Sequence, residues 1–378
     1  MKFIVSMDSY KGSLNQKELG DIIEKKIKTM LPDSTVINLP MADGGEGTLD
    51  CFIESLDAKI INVEVHDPLM RKLKTYYAIK DNTAIIEMAK SSGLTLLKAE
   101  EKSINKTTTY GVGEMIKDAL DRGILDFIIT IGGSATNDGG IGMLSALGAK
   151  FYDKNNILLQ PIGESLQQIE KIDIKNFDKR LTQATFKIAC DVDNPLSGPN
   201  GATFIYGPQK GGSKDDILII DHGLINYSKV ANKLLKVDFS NHPGAGAAGG
   251  LGYAFKTFFN SRLIPGVDIM IERINIKSHL KDTDYIITGE GKIDYQSVMG
   301  KVISGIGKLG KNNNIPVIAI AGSIDYVGNE LYDLGITNMF SILPQGMSIE
   351  EAMQKENTIK NLEMAIEKII RLINKKEW

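Results

Sequence analysis

Cysteine is almost missing from this chain. Cys51 and Cys190 are the only two in 378 residues, and they form no close pair. That excludes a disulfide scaffold and a cysteine-rich zinc site, and makes a reducing cytoplasm the expected compartment. Basic charge is not in excess: 44 Lys and Arg stand against 47 Asp and Glu, a net charge of −3. A nucleic-acid binder would show a basic face, so none is expected. No apolar run approaches the roughly 20 residues of a membrane span, so no membrane partner is expected either. The first residues, MKFIVSMDSYKGS, turn polar too early for a signal peptide. Histidine is scarce, with four in all. His66 and His242 sit beside proline turns without a nucleophile in view, which leaves a Ser-His-Asp hydrolase unsupported.

Glycine is what the chain has in quantity, 38 residues of it, and much of it is gathered into five polar loops. These are DSYKGS (8–13), MADGGEGT (41–48), GGSATNDGG (132–140), PGAGAAGG (243–250) and TGEGKIDYQS (288–297). Glycine admits positive φ and brings backbone amides against a ligand. Successive amides at a strand-to-helix turn make an anion nest. Four of the loops also carry Asp or Glu, which a bare anion nest does not need. Carboxylates among such nests suggest a metal-bound phosphate, because Mg²⁺ takes one or two carboxylates together with phosphate oxygens. In CDVDNPLSGPNGA (190–202), Asp191 and Asp193 follow the apolar run KIAC. If the segment is extended they point to one side, able to hold a metal or orient a hydroxyl. An Asp turn before Pro195 is the plain alternative. Lys210, in GPQKGG, could reach a phosphate or lie solvated at the surface.

Short β-branched runs alternate with helical periodicity at both ends of the chain. FIVSM (3–7), TVINLP (35–40), DYIITGEG (284–291), IPVIAIAGS (315–323) and NMFSILP (338–344) predict parallel strands. Ser13 to Gln16 has a capping-box pattern opening a helix to about Met30, and residues 358–373 predict an amphipathic closing helix. Between residues 61 and 97 the alternation around Asp67-Pro68 and Asp81-Asn82 predicts antiparallel hairpins. The predicted fold is α/β with two domains. Residues 1–60 and 281–378 form a Rossmann-like parallel-sheet domain, and 61–280 an inserted α+β/α/β domain, with the active site in the cleft between them. Ligands in such sheets sit at the carboxyl ends of strands. The echo between 126–130 and 284–288, each an Asp-aromatic-Ile-Ile-Thr run before a glycine loop, reads as a shared strand-loop solution rather than a repeat.

Two motif matches are refused. Gly244, Gly246 and Gly249 fit a dinucleotide fingerprint, but only a weak strand signal precedes them and no ribose-binding acid follows a second strand. Residues 305–312 resemble a phosphate loop, yet Asn312 stands where Ser or Thr is required, inside a predicted helix.

Taken in order, DSYKGS, PMADGGEGT, GGSATNDGG, CDVDNPLSGPNGA with GPQKG, PGAGAAGGLG and TGEGKIDYQSVMGK resemble the bacterial glycerate kinases from about residue 2 to 375. The resemblance implies phosphorylation of D-glycerate by ATP with Mg²⁺, at the 2-hydroxyl in this branch. Alternatives are a kinase for another small hydroxy or sugar acid, a non-catalytic hydroxy-acid sensor and, on GAGAAGG alone, a nicotinamide dehydrogenase. Within the kinase reading, Asp191 accepts or orients the attacking hydroxyl, and Lys11 serves the transferring phosphate or the glycerate carboxylate. Substrate and phosphate contacts are expected from Asp8, Ser9, Gly44, Gly45, Gly132, Gly133, Ser134, Thr136, Asn137, Gly289 and Gly291, with Lys292 and Arg71 as further cations. Asp193, Asp43, Glu46 and Glu290 are the magnesium candidates. The sequence leaves open which loop takes ATP and which glycerate, and the oligomeric state, a homodimer being one option. Three departures stand out: the family often has Phe at Tyr10, Gly at Met70 and Arg at Lys292. Lys cannot make the bidentate contact that Arg makes to a carboxylate or phosphate.

Overall fold

FIVSM forms the strand Lys2–Met7, which sits inside a five-stranded parallel sheet. The order across it is Ile336–Ser341, Val317–Ile324, Tyr285–Ile293, Lys2–Met7, Thr35–Asn38. Parallel strands are covered on both faces, which is why their sequences are nearly unbroken apolar runs rather than alternating ones. Phe3, Val5, Met7, Ile287, Ile318 and Ile320 meet Leu19, Ile23 and Ile27 of the helix Gln16–Met30 and the isoleucine stripe of Lys355–Lys375. The computed structural model describes residues 1–45, 47–298, 300–325 and 329–375.

The helix Gln16–Met30 starts two residues later than Ser13 suggested. Asn15 is the N-cap and Glu18 closes the capping box. Ser13 instead shares a 2.7 Å hydrogen bond with Thr358. A side chain from a distant helix has claimed the hydroxyl that a local cap would have used.

The second sheet is mixed and six-stranded. Its order is Ser261–Ile264, Thr185–Ala189, Asp126–Thr130, Thr83–Glu87, Lys72–Lys80, Lys59–His66. The first four are parallel neighbours, and the last two run antiparallel as the hairpin signals predicted. Phe127 and Phe186 stack at 4.7 Å in its core.

The chain divides into two units. The first holds Met1–Asp43, Glu54–Leu56 and Pro265–Trp378; the second holds Gly44–Ile53 and Asp57–Ile264. The lines drawn from sequence at 60/61 and 280/281 fall elsewhere. The helix Gly266–Arg273 goes with the first unit, where Val267 packs on Gly305 so closely that a Cβ there would lie 2.6 Å from it. The GAGAAGG segment enters the helix Ala247–Phe258 through left-handed Ala248, Gly249 and Gly250, with no strand before it. Gly305 to Lys311 lie inside the helix Val302–Asn313. Neither is a nucleotide motif.

The Met70 departure falls on a strained position. Met70 has φ 62° in the turn between Lys59–His66 and Lys72–Lys80. Asp67 fixes this turn by accepting from the Leu69 and Arg71 amides and from Arg71 Nε. Left-handed backbone costs a residue with a side chain about 1–2 kcal/mol, and Met70 is exposed, so its side chain returns little packing. Met70→Gly is expected to stabilise the protein by roughly 1 kcal/mol, net of the added chain entropy. A denaturant midpoint that stays put or falls would show that the turn carries no strain.

Candidate active site

From Lys2–Met7 the chain passes to Thr35–Asn38 on one side, and from Tyr285–Ile293 to Val317–Ile324 on the other. The crevice outside the carboxyl ends of the two central strands is therefore a topological switch point, the place where open parallel sheets bind ligands. Met7 pairs with Gly289, and the Asp8 amide donates to the Gly289 carbonyl at 2.9 Å. Asp8 and Glu290 thus emerge side by side.

A cavity of about 380 Å³ opens there. Asp8, Ser9 and Lys11 line it from the first strand's loop, Asp43 from the second, and Glu290, Gly291 and Lys292 from the third. Asp8 is 6% exposed and Glu290 likewise. Burial, then the neighbouring Asp43 and Glu290, pushes the Asp8 carboxyl up to about 7, although the Ser9 amide and Lys11 pull the other way. Glu290 is also raised, first by burial and then by Asp43 and Asp294, against Ser297 and Lys301. Its Oε1 is buried without a hydrogen-bond partner. Two crowded carboxyls, one with an orphaned oxygen, suit a cation. Among the described residues no three His, Cys, Asp or Glu side chains are disposed to hold a metal by themselves. The donor set therefore fits Mg²⁺ shared with phosphate oxygens, not a cage made of protein alone.

The glycines of this loop divide by role. A Cβ on Gly289 would lie 1.9 Å from the Ile320 carbonyl, so that glycine is required by the sheet itself. Gly291 faces the backbone of residues 9–11, with its nearest neighbour at 3.6 Å. Lys292 lines the cavity but pairs with Asp325 at 2.8 Å. Tyr10 uses its hydroxyl inside the protein, donating to the Ile320 carbonyl at 3.2 Å.

The remaining predicted residues are in the second unit. Glu87, Thr130 and Ala189 are in register across three parallel strands, so GGSATNDGG and the Asp191 segment leave the sheet at the same end. Gly132 lies against the 44–45 backbone; a Cβ on it would be 3.0 Å from Gly45 Cα. Ser134, Thr136 and Asn137 are buried, and Thr136 Oγ1 and Asn137 Oδ1 have no partner. The later half of the loop is closed from within: Asp138 accepts from the Gly140 and Gly142 amides and from the Thr109 amide and hydroxyl. The protein's own carboxylate fills that nest, leaving residues 132–137 as the part with polar groups to offer. Asp191 and Asp193 are exposed just past the strand Thr185–Ala189. Arg71 is committed to Asp67 and Glu101, both at 2.6 Å, which weakens it as a substrate cation. Glu46 lies outside the described residues.

Sequence reasoning missed three features. Glu87 is buried and accepts from the Leu49 amide at 3.0 Å at the start of the helix Thr48–Leu56. Lys210 is not solvated: it is 2% exposed and donates to Ser134 Oγ at 2.7 Å and the Thr136 carbonyl at 2.8 Å. Burial lowers its ammonium to about 7, opposed by Asp138. Lys301 and the segment 342–353 line the first cavity. Lys301 closes the TGEGKIDYQSVMGK motif and Lys210 stands in GPQKGG, so both had a signal in the sequence; Glu87 and the 342–353 segment had none. No described helix is long and apolar enough to cross a membrane.

Comparison with known proteins identifies the class. Residues 3–374 match the model of the Glycerate kinase family. The glycerate kinase of Bacillus subtilis (strain 168) is 42% identical over 94% of this chain and 93% of its own. The glycerate 2-kinase of Escherichia coli (strain K12) is 42% identical with the same coverage. A crystal structure assigned to glycerate kinase 2 of Salmonella typhimurium LT2 aligns with a TM-score of 0.89 at 38% identity, covering 100% of this chain and 99% of that one. The chain belongs to the glycerate kinase family. It is a kinase that phosphorylates glycerate, with ATP as co-substrate.

The raised Asp8 carboxyl has a measurable consequence. A carboxyl whose folded value lies above its ordinary 3.8 subtracts stability as pH rises from that value to about 7. Asp8→Asn in metal-free buffer should therefore raise the melting temperature, with a gain that grows from pH 4 to pH 7 and levels off above. A gain independent of pH would mean that Asp8 ionises normally.

Proposed function

We propose that the chain transfers the γ-phosphoryl group of Mg-ATP to the 2-hydroxyl of D-glycerate. The observation that carries this reading is the gathering of Asp8, Asp43, Glu290 and Lys11 around one cavity at the switch point of the first sheet. Phosphoryl transfer demands positioning and charge neutralisation more than covalent chemistry, and this is the charge distribution a metal-bound phosphate requires. The 2-hydroxyl is favoured by the similarity to the E. coli glycerate 2-kinase.

In this reading Lys11 steadies negative charge on the transferring group. Asp43 and Glu290, with Asp8 beside them, would hold Mg²⁺. Bound there, the ion would supply neutralisation of phosphate charge. Asp191 orients the attacking hydroxyl and takes its proton, with Asp193 next to it as a further candidate for the metal's water shell. Residues 132–137, with Gly44 and Gly45, supply hydrogen bonds to substrate. Lys210 holds Ser134 and the Thr136 carbonyl in place from beneath.

Purified protein with Mg²⁺ should release ADP only when D-glycerate is present, and phosphorus NMR should show the 2-phosphate. ADP release with another hydroxy acid and not with glycerate would contradict the assignment. Asp191→Asn should lower kcat by about 10²- to 10⁴-fold, the usual contribution of a positioned base, with ADP affinity held within a few-fold. If Asp191 merely shapes the turn before Pro195, kcat stays near normal and only thermal stability moves.

A further inference from the structure

The cavity of the first unit has a second wall that the charged residues do not explain. Ile342 and Leu343 follow the strand Ile336–Ser341, and Ile349 and Met353 bracket the short helix Ile349–Ala352. Ile349 is 60% exposed and Met353 42%. Large apolar groups left open to a cavity signal a ligand surface rather than core. The wall is held against the charged loop. A Cβ on Gly12 would lie 3.0 Å from Met353 Cε, and Ser13 and Thr358 share a 2.7 Å hydrogen bond. Lys11 and Lys301 supply cations on the charged side.

Glycerate can use little of this. It has seven non-hydrogen atoms, one charge and no apolar face, whereas the cavity measures about 380 Å³ and Ile342, Leu343, Ile349, Ala352 and Met353 form about a quarter of its lining residues. Sites for drug-sized ligands begin at about 300 Å³ and combine an apolar bed with a few placed polar groups. A nucleoside triphosphate matches both halves: a flat apolar base and a polyphosphate bearing a metal. We propose that this cavity is the nucleotide site. The base lies on Ile342, Leu343, Ile349 and Met353, and the phosphates run toward Lys11, Lys301 and the carboxylates at the strand ends. The assignment rests on the kinase reading above and deepens it by placing the nucleotide on a wall that contains none of the glycine motifs.

The test is titration of ADP into wild type, Ile349→Asp and Met353→Glu, alongside steady-state kinetics. A carboxylate in the base's bed should weaken ADP by at least about tenfold, the scale of losing one buried apolar side chain. The KM for ATP should rise in parallel, with the KM for glycerate within twofold and kcat at saturating ATP retained. A rise in the glycerate KM with ADP affinity unmoved would overturn the proposal and give the cavity to the hydroxy acid. No change in either would overturn it too. Photolabelling of wild type by 8-azido-ATP, mapped by mass spectrometry, tests the same placement without a variant: label within 342–358 supports it, and label confined to the second unit contradicts it. Wild type that binds no ADP at all would bring down the kinase reading itself, a result distinct from any of these.

Discussion

The first unit is organised around carboxylates that crowd one another at the ends of two adjacent parallel strands. Strand register puts Asp8 beside Glu290, and the following loop adds Asp43. Burial disfavours the ionised forms of Asp8 and Glu290, and the neighbouring charge of Asp43 adds to that cost. Lys11, Lys301 and the Ser9 amide offset part of it. The site is thus poised in favour of positive charge, and a metal-bound polyphosphate supplies both the cation and a partner for the lysines. The sheet order dictates this location, since side chains from both halves of the sheet converge only where the connections reverse.

The second unit handles charge differently. Its main glycine loop already contains a carboxyl group, Asp138, held by two amides and by Thr109. A cation, Lys210, is buried beneath the other half. Burial disfavours its charged form, and hydrogen bonds to Ser134 Oγ and the Thr136 carbonyl offset part of that cost. Ser134 and the Thr136 carbonyl are thereby held by the protein's own side chain, as a positioning site requires. The unpartnered Thr136 Oγ1 and Asn137 Oδ1 are the hydrogen-bonding capacity left over.

Much of this was legible in the sequence because parallel strands announce themselves. FIVSM and DYIIT are unbroken apolar runs that end in glycine loops, so the fold and the site's location at strand ends follow from patterning. The glycine motifs likewise pointed to most of the residues that line the first cavity. What local sequence could not show depended on distant partners. Ser13 looked like an N-cap until Thr358 took its hydroxyl. Lys210 looked equally at home in solvent, and only tertiary packing buries it. Arg71 reads as a free cation, yet Glu101, 30 residues on, holds its far end. The apolar wall at 342–353 has no motif, because any hydrophobic side chains of suitable size would serve.

Titration of Mg-ADP and of metal-free ADP into wild type and Glu290→Gln tests the carboxylate cluster most directly. If these acids exist to share a metal with phosphate, wild type binds Mg-ADP far better than ADP alone, and Glu290→Gln narrows that preference by roughly tenfold or more, the scale on which groups around a metal tune its affinity. A preference for Mg-ADP that is the same in both proteins would contradict it.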